Sequence, residues 1–228
     1  SNLSSAESTA STYLMHPSAT GFYSDTGALS GSHTYIYIAI RRGPMKTPTT
    51  GTSVLNPTQT SATSGTVITT GFPVDFQMIG INAGNASNMR ARSRLTGINS
   101  TTGSVLTPYL VTSSTAAETS AASGSLMWDN TGFQVPTLNS GNPTIFWSFA
   151  RAPGFFDEVC YTGTGVARTI SHNLGVAPEL MIVKCRSNSG TYWIVYASSL
   201  GNTQFLSLSE TDRKSTRLNS SHIPLSRM

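Results

Sequence analysis

Asp157 and Glu158 are the one adjacent pair of carboxylates in the sequence. Two carboxylates facing each other across a glycosidic bond are what polysaccharide cleavage requires. Neighbours on a strand point to opposite faces, however, so this pair is not expected to address a substrate from one side. His172 has no second His, Cys or carboxylate at metal-ligand spacing, and the local pattern predicts a hydrogen-bonded turn histidine. Cys160 and Cys185 form no C-x-x-C motif and read as small strand residues. The run Gly163-Thr164-Gly165 lacks the spacing of a phosphate loop. No catalytic, metal-binding or cofactor-binding residue is assigned on these grounds, and no cofactor is expected.

Two further groups could bind rather than react. Arg90, Arg92 and Arg94 alternate, so on a strand they would form one basic face able to grip phosphate or an acidic glycan. With only Met89 beside them and no interleaved aromatics, they read as a solvated loop or edge. Tyr192, Trp193, Tyr196 and Trp147 are the glycan-binding candidates, because their rings could stack on sugars. Strand spacing groups Trp193 with Val195, as core residues would be, and so favours packing.

The elements that position these residues read almost throughout as strands. Charged residues make up 11% of the 228-residue chain, against about 25% in ordinary soluble domains, and Ser, Thr, Gly and Asn fill the gaps between apolar runs. Four of the 14 basic residues and one of the 10 acidic ones lie in residues 212–228; without them the net charge is +1. Whole-chain charge therefore gives no argument for nucleic acid or an anionic membrane. No apolar run approaches the roughly 18 residues of a membrane helix.

Internal similarity is present. Thr34-Tyr35-Ile36-Tyr37-Ile38-Ala39-Ile40-Arg41-Arg42-Gly43-Pro44 is echoed by Ile145-Phe146-Trp147-Ser148-Phe149-Ala150-Arg151-Ala152-Pro153, with Arg42 matching Arg151 and Pro44 matching Pro153. Asp75-Phe76-Gln77-Met78-Ile79 likewise matches Glu179-Leu180-Met181-Ile182-Val183. Strands are predicted over residues 34–41, 67–70, 74–81, 105–111, 144–150, 155–162, 180–186, 191–197 and 204–208. Residues 43–64, rich in Pro, Thr and Ser, leave nothing to bury and should be extended or a surface loop.

The expected fold is all-β, a repeated antiparallel β-sandwich with one near-complete unit and two partial ones. Residues 1–44 read as the end of a preceding repeat, 45–62 as linker, 63–154 as the near-complete repeat and 155–211 as the start of a following one. The run Asp-Arg-Lys-Ser-Thr-Arg-Leu-Asn-Ser-Ser-His at 212–222 resembles a sequencing adapter read as coding sequence, which would make 212–228 a non-native tail.

The stretch 147–210 contains Arg-Ala-Pro-Gly-Phe-Phe-Asp, Tyr-Thr-Gly-Thr-Gly and Ile-Ser-His-Asn-Leu-Gly-Val-Ala-Pro-Glu-Leu-Met-Ile-Val-Lys. It resembles a domain of unknown function found in large virion proteins of marine and aquatic phages, and residues 34–54 are similar to the end of that domain. The resemblance implies a tail-fibre or other virion-surface protein, without assigned enzyme activity. It also implies other virion proteins as partners, a trimer by family expectation, and a location on the extracellular particle after assembly in the host cytoplasm. Three functions remain as expectations: a non-enzymatic virion component, a module recognising host-surface glycan, and a polysaccharide depolymerase.

Overall fold

The computed structural model describes residues 15–17, 22–24, 45–81, 89–97, 99–101, 104–121, 128, 130–136, 141–209 and 215–216. The predicted strand at 34–41 lies outside these residues, as do all of 212–228 except 215–216. The described regular structure is all β, interrupted only by 3-10 turns of three residues, and every strand pairing is antiparallel.

The strands are β1 (Met15–Pro17), β2 (Phe22–Ser24), β3 (Leu55–Thr60), β4 (Val67–Thr69), β5 (Phe76–Ile81), β6 (Arg90–Ser93), β7 (Asn99–Thr101), β8 (Ser104–Val111), β9 (Thr119–Ala121), β10 (Gly132–Gln134), β11 (Thr144–Phe149), β12 (Leu180–Val183), β13 (Ile194–Ala197), β14 (Gln204–Ser207) and β15 (Ser215–Thr216). They form a seven-stranded sheet in the order β3-β11-β5-β6-β8-β7, with β9 also on β8. A four-stranded sheet runs β12-β13-β14-β15, and β1-β2 and β4-β10 are two-stranded ribbons.

β11 lies between β3 and β5, with six residue pairs on each side. Its Thr144, Phe146 and Ser148 are buried and alternate with half-buried Ile145, Trp147 and Phe149, so both faces are covered. On the first face Phe146 meets Phe133 of β10 at 4.8 Å, which seats the β4-β10 ribbon on the large sheet. Val54, Phe72, Val74, Ile79 and Ala150 complete this core. Burial of each such large side chain stabilises the fold by roughly 1.5–3 kcal/mol. On the second face Phe149 and Phe76 gather around Phe156, at 5.0 and 5.7 Å.

The structure departs from the sequence expectation at two segments. Within residues 43–64, expected to have nothing to bury, Val54 enters the core and Leu55–Thr60 is the edge strand beside β11. Pro57 disguises it, but an edge strand tolerates a residue without an N–H. Conversely, residues 155–162 are not a strand: Phe156 makes one bridge to Ala152 and the chain then continues irregularly. The Asp157 carboxylate accepts hydrogen bonds from Arg151 and from the Asn173 amide, and among the described residues no partner strand lies alongside.

The two matched segments, 75–79 and 179–183, lie 104 residues apart and each opens an antiparallel hairpin. Phe76, Gln77, Met78 and Ile79 pair with Ser93, Arg92, Ala91 and Arg90, and their counterparts Leu180, Met181, Ile182 and Val183 pair with Ala197, Tyr196, Val195 and Ile194. Each hairpin leads into a 3-10 turn, Arg94–Thr96 or Ser198–Leu200, closed by a glycine at φ 73° or 71°. The Arg94 amide donates to the Asp75 carbonyl and the Ser198 amide to the Glu179 carbonyl, each at 2.8 Å.

Among the described glycines the closest approach is at Gly132, where a Cβ would clash with the Ile68 carbonyl oxygen. Gly132→Ala is therefore expected to destabilise the protein by about 2 kcal/mol or more in denaturant titration, because the β4-β10 ribbon must separate. Gly51→Ala, in open space, should stay within about 0.5 kcal/mol.

Candidate functional site

A row of polar side chains crosses one face of the large sheet. Asn56 of β3 stands opposite Ser148 of β11, Ser148 opposite Gln77 of β5, and Gln77 opposite Arg92 of β6. Gln77 donates its Nε2 to Ser148 Oγ at 3.0 Å. Beyond Arg92 the row ends on the ring of Tyr109 in β8, 4.4 Å from the Arg90 guanidinium and 5.7 Å from that of Arg92. The basic residues expected at a solvated loop or edge are thus placed otherwise: Arg92 is 2% exposed, and β6 is an interior strand. The aromatics missing from the local sequence arrive from elsewhere in the chain, Tyr109 under Arg90 and Arg92, and Trp128 5.5 Å from Arg94. Arg94 leaves the row altogether. It follows β6 in the 3-10 turn and donates through Nε to the Val74 carbonyl.

Burial pushes the Arg92 pKa down to about 10, aided by the neighbouring Arg90 charge and opposed by Tyr109. The group stays charged at neutral pH, while its Nε and Nη1 are sealed from solvent without hydrogen-bond partners.

A second polar cluster joins the large sheet to the segments that follow it. The Asp75 carboxylate accepts the Arg151 amide at 2.8 Å, just past the end of β11. The Arg151 side chain reaches forward to Asp157 at 2.7 Å, and Asp157 accepts the Asn173 amide at 2.7 Å. Burial acts to raise the Asp157 pKa, but the Asn173 and Arg151 hydrogen bonds outweigh it and hold the carboxyl below its ordinary range. His172 sits in the turn so anchored, its Nδ1 accepting the Leu174 amide at 3.2 Å, as a turn histidine should.

Glu158 takes the opposite course. Although the residue as a whole is half-buried, its Oε2 is sealed off without a partner. Loss of hydration raises its pKa to about 7. The Ser93 hydroxyl and Arg151 work against that rise, Asp75 adds to it, and Arg186 opposes it. Arg186 itself makes a bidentate pair with Glu118, at 2.7 and 2.8 Å. These acids therefore serve separate internal partners. Among the described residues no group of three or more His, Cys, Asp or Glu side chains is placed to hold a metal ion.

Residues 63–225 match the family described as Domain of unknown function (DUF7483). The chain belongs to this family. No curated protein and no solved structure matches it. The DUF7483 region contains both of the similar hairpins and, apart from Asn56, the residues of both polar clusters.

Within this DUF7483 domain the four candidate aromatics are not brought together. Trp193 is 6% exposed, with its indole N–H donating to the Val111 carbonyl at 2.9 Å, and Val195 is buried as well. Trp147 is half-buried on β11 with its ring over Gly80. Tyr196 is half-buried on β13, opposite Met181. Tyr192 is 47% exposed. Tyr161, not singled out from the sequence, is also exposed, with the Arg168 guanidinium 5.8 Å from its ring. The cysteines differ in character: burial raises the Cys160 thiol, whereas the Ser187 hydroxyl leads the causes that lower Cys185.

Two measurements probe the clusters. Glu158 ionises near 4.5 when unfolded and near 7 when folded, so between those values the native state binds more protons and stability must fall as pH rises. The penalty is absent below about pH 4.5, complete above about pH 7, and on the order of 3 kcal/mol. Glu158→Gln is expected to remove that slope in denaturant titrations at several pH values; an unchanged slope would refute the assignment. Replacing a buried unpaired cation with an apolar chain of similar length should be neutral or stabilising, by up to about 3 kcal/mol for Arg92→Met. A clear loss of stability in that variant would show that the guanidinium makes a favourable interaction in solution.

Proposed function

We propose that this chain is a non-enzymatic structural module of a phage virion, in the tail-fibre or baseplate region, whose partners are other virion proteins. The observation that carries the reading is the hairpin and 3-10 turn that recur in the same register 104 residues apart. A unit reused along one chain suits an extended surface structure built by repetition. The chemistry of the acids supports the same reading. Asp157 is occupied by Arg151 and the Asn173 amide, Glu118 by Arg186, and the Glu158 Oε2 is closed to solvent. A glycosidase needs two carboxylates open to one sugar.

Recognition of a host-surface glycan is the second reading, and exposed Tyr192 and Tyr161 are the observation in its favour. Trp193 cannot offer a free ring face in this fold, so such binding would rest on the tyrosines and on whatever of Trp147 reaches solvent.

Antibody raised against the purified chain is expected to label intact phage particles from a host culture carrying its gene, and peptides of the chain should be found in density-purified virions. Absence from purified particles would sink the structural reading. On a glycan array, binding that disappears in the Tyr192→Ala, Tyr161→Ala double variant would establish the second reading. Release of oligosaccharide from host capsule would instead revive a depolymerase.

A further inference from the structure

The duplicated hairpins differ in one respect. β5 is bonded along both edges, to β6 and to β11, whereas β12 pairs with β13 and ends its sheet among the described residues. Burial follows the difference. Gln77 and Ile79 are fully buried and Phe76 and Met78 half-buried. Of their counterparts, Met181 and Val183 are only half-buried, and Leu180 and Ile182 are 58% and 43% exposed. An exposed edge carrying apolar side chains is a template for one more strand.

We propose that residues 35–40 of the same chain add to this edge as an antiparallel strand, in the place that β11 holds on β5. The occupant is identified by two independent correspondences. Arg42 and Pro44 match Arg151 and Pro153, which aligns residues 35–40 with Thr144–Phe149 of β11. Phe76–Ile81 of β5 aligns with residues 180–185. The β11-β5 register then places Tyr37 opposite Val183, Ile38 opposite Ile182 and Ile40 opposite Leu180. The two most exposed apolar residues of the edge are thereby covered by isoleucines, and a slip of one residue would turn those isoleucines to the other face.

The carboxylate acceptor at the strand end agrees with the register. Arg151 donates its backbone amide to Asp75 in the complete arrangement; Arg42 occupies the position of Arg151, and exposed Glu179 that of Asp75. A strand tethered in the same polypeptide meets the edge at an effective concentration that can reach the millimolar range, which favours it over a second copy in dilute solution.

The register supplies its own test, because it puts position 35 opposite Cys185. Cα separations of about 4.5–5.5 Å in antiparallel pairs suit a disulfide. In the full chain carrying Tyr35→Cys, mild oxidation is expected to join positions 35 and 185 within a monomer, as read by peptide mapping and gel mobility. The Ile36→Cys variant, whose side chain points to the other face, should not join. A link to Cys160, a 35–185 link found only in dimers, or no link in a variant with an unchanged thermal transition would each overturn the proposal. Hydrogen exchange on the unmodified chain provides a check that does not depend on the variant folding. The β12 amides that point away from β13 should be protected, and protection should be lost in Ile38→Pro while residues 76–81 keep theirs. Rapid exchange at those β12 amides in the unmodified chain would also overturn it. None of these outcomes depends on where the protein is assembled.

Discussion

The large sheet depends on β11 being inserted between β3 and β5. That one strand satisfies backbone groups on both sides, carries Phe146 into contact with Phe133 on one face, and holds Phe149 against Phe76 and Phe156 on the other. Its end is fixed as firmly as its middle. Ala150 donates its amide to the Val54 carbonyl and Arg151 to the Asp75 carboxylate, so the chain leaves the sheet in a defined direction. From there the Arg151-Asp157-Asn173 chain of bonds sets the position of the turn at His172, and Gly154, at φ 71°, donates to the Leu174 carbonyl.

A sequence this poor in charge uses much of what it has internally. Asp75, Glu118, Asp157, Arg94, Arg151 and Arg186 hold segments together rather than meeting solvent as isolated charges. The polar row through Ser148, Gln77 and Arg92 has a different consequence. In a low-dielectric interior a guanidinium costs hydration that a ring face returns only in part, yet a slip of one residue would oppose Arg92 with Phe76 or Met78 and cost more. The row therefore penalises a one-residue slip between β5 and β6 more than it stabilises the correct pairing.

The two hairpins show how far side chains can diverge while a backbone persists. Gln77 and Arg92 face each other in one, Met181 and Tyr196 in the other, and the pairing is unchanged. What survives is the backbone device: the acidic residue whose carbonyl accepts the amide that opens the 3-10 turn, and the glycine that ends the turn with positive φ. The apolar character of β12 is best understood beside β5, whose counterpart residues become buried once a strand lies on each edge.

The sequence by itself determined the all-β class, strands at Thr144–Phe149, Phe76–Ile81 and Ser104–Val111, the turn role of His172, and the burial of Trp193 and Val195. These follow from alternation and turn chemistry, which act over a few residues and can be read locally. β3 was obscured by its proline and threonines, since being an edge strand is a relation to β11 and not a property of its own residues. The burial of Arg92 was equally illegible, because the ring that receives it and the glutamine beside it come from Tyr109 and Gln77, on other strands. Likewise, nothing about Glu158 in sequence distinguishes it from Asp157. Only tertiary packing gave one carboxyl an arginine and an amide and left the other sealed without a partner at Oε2, because burial and charge pairing are decided by what arrives from far along the chain.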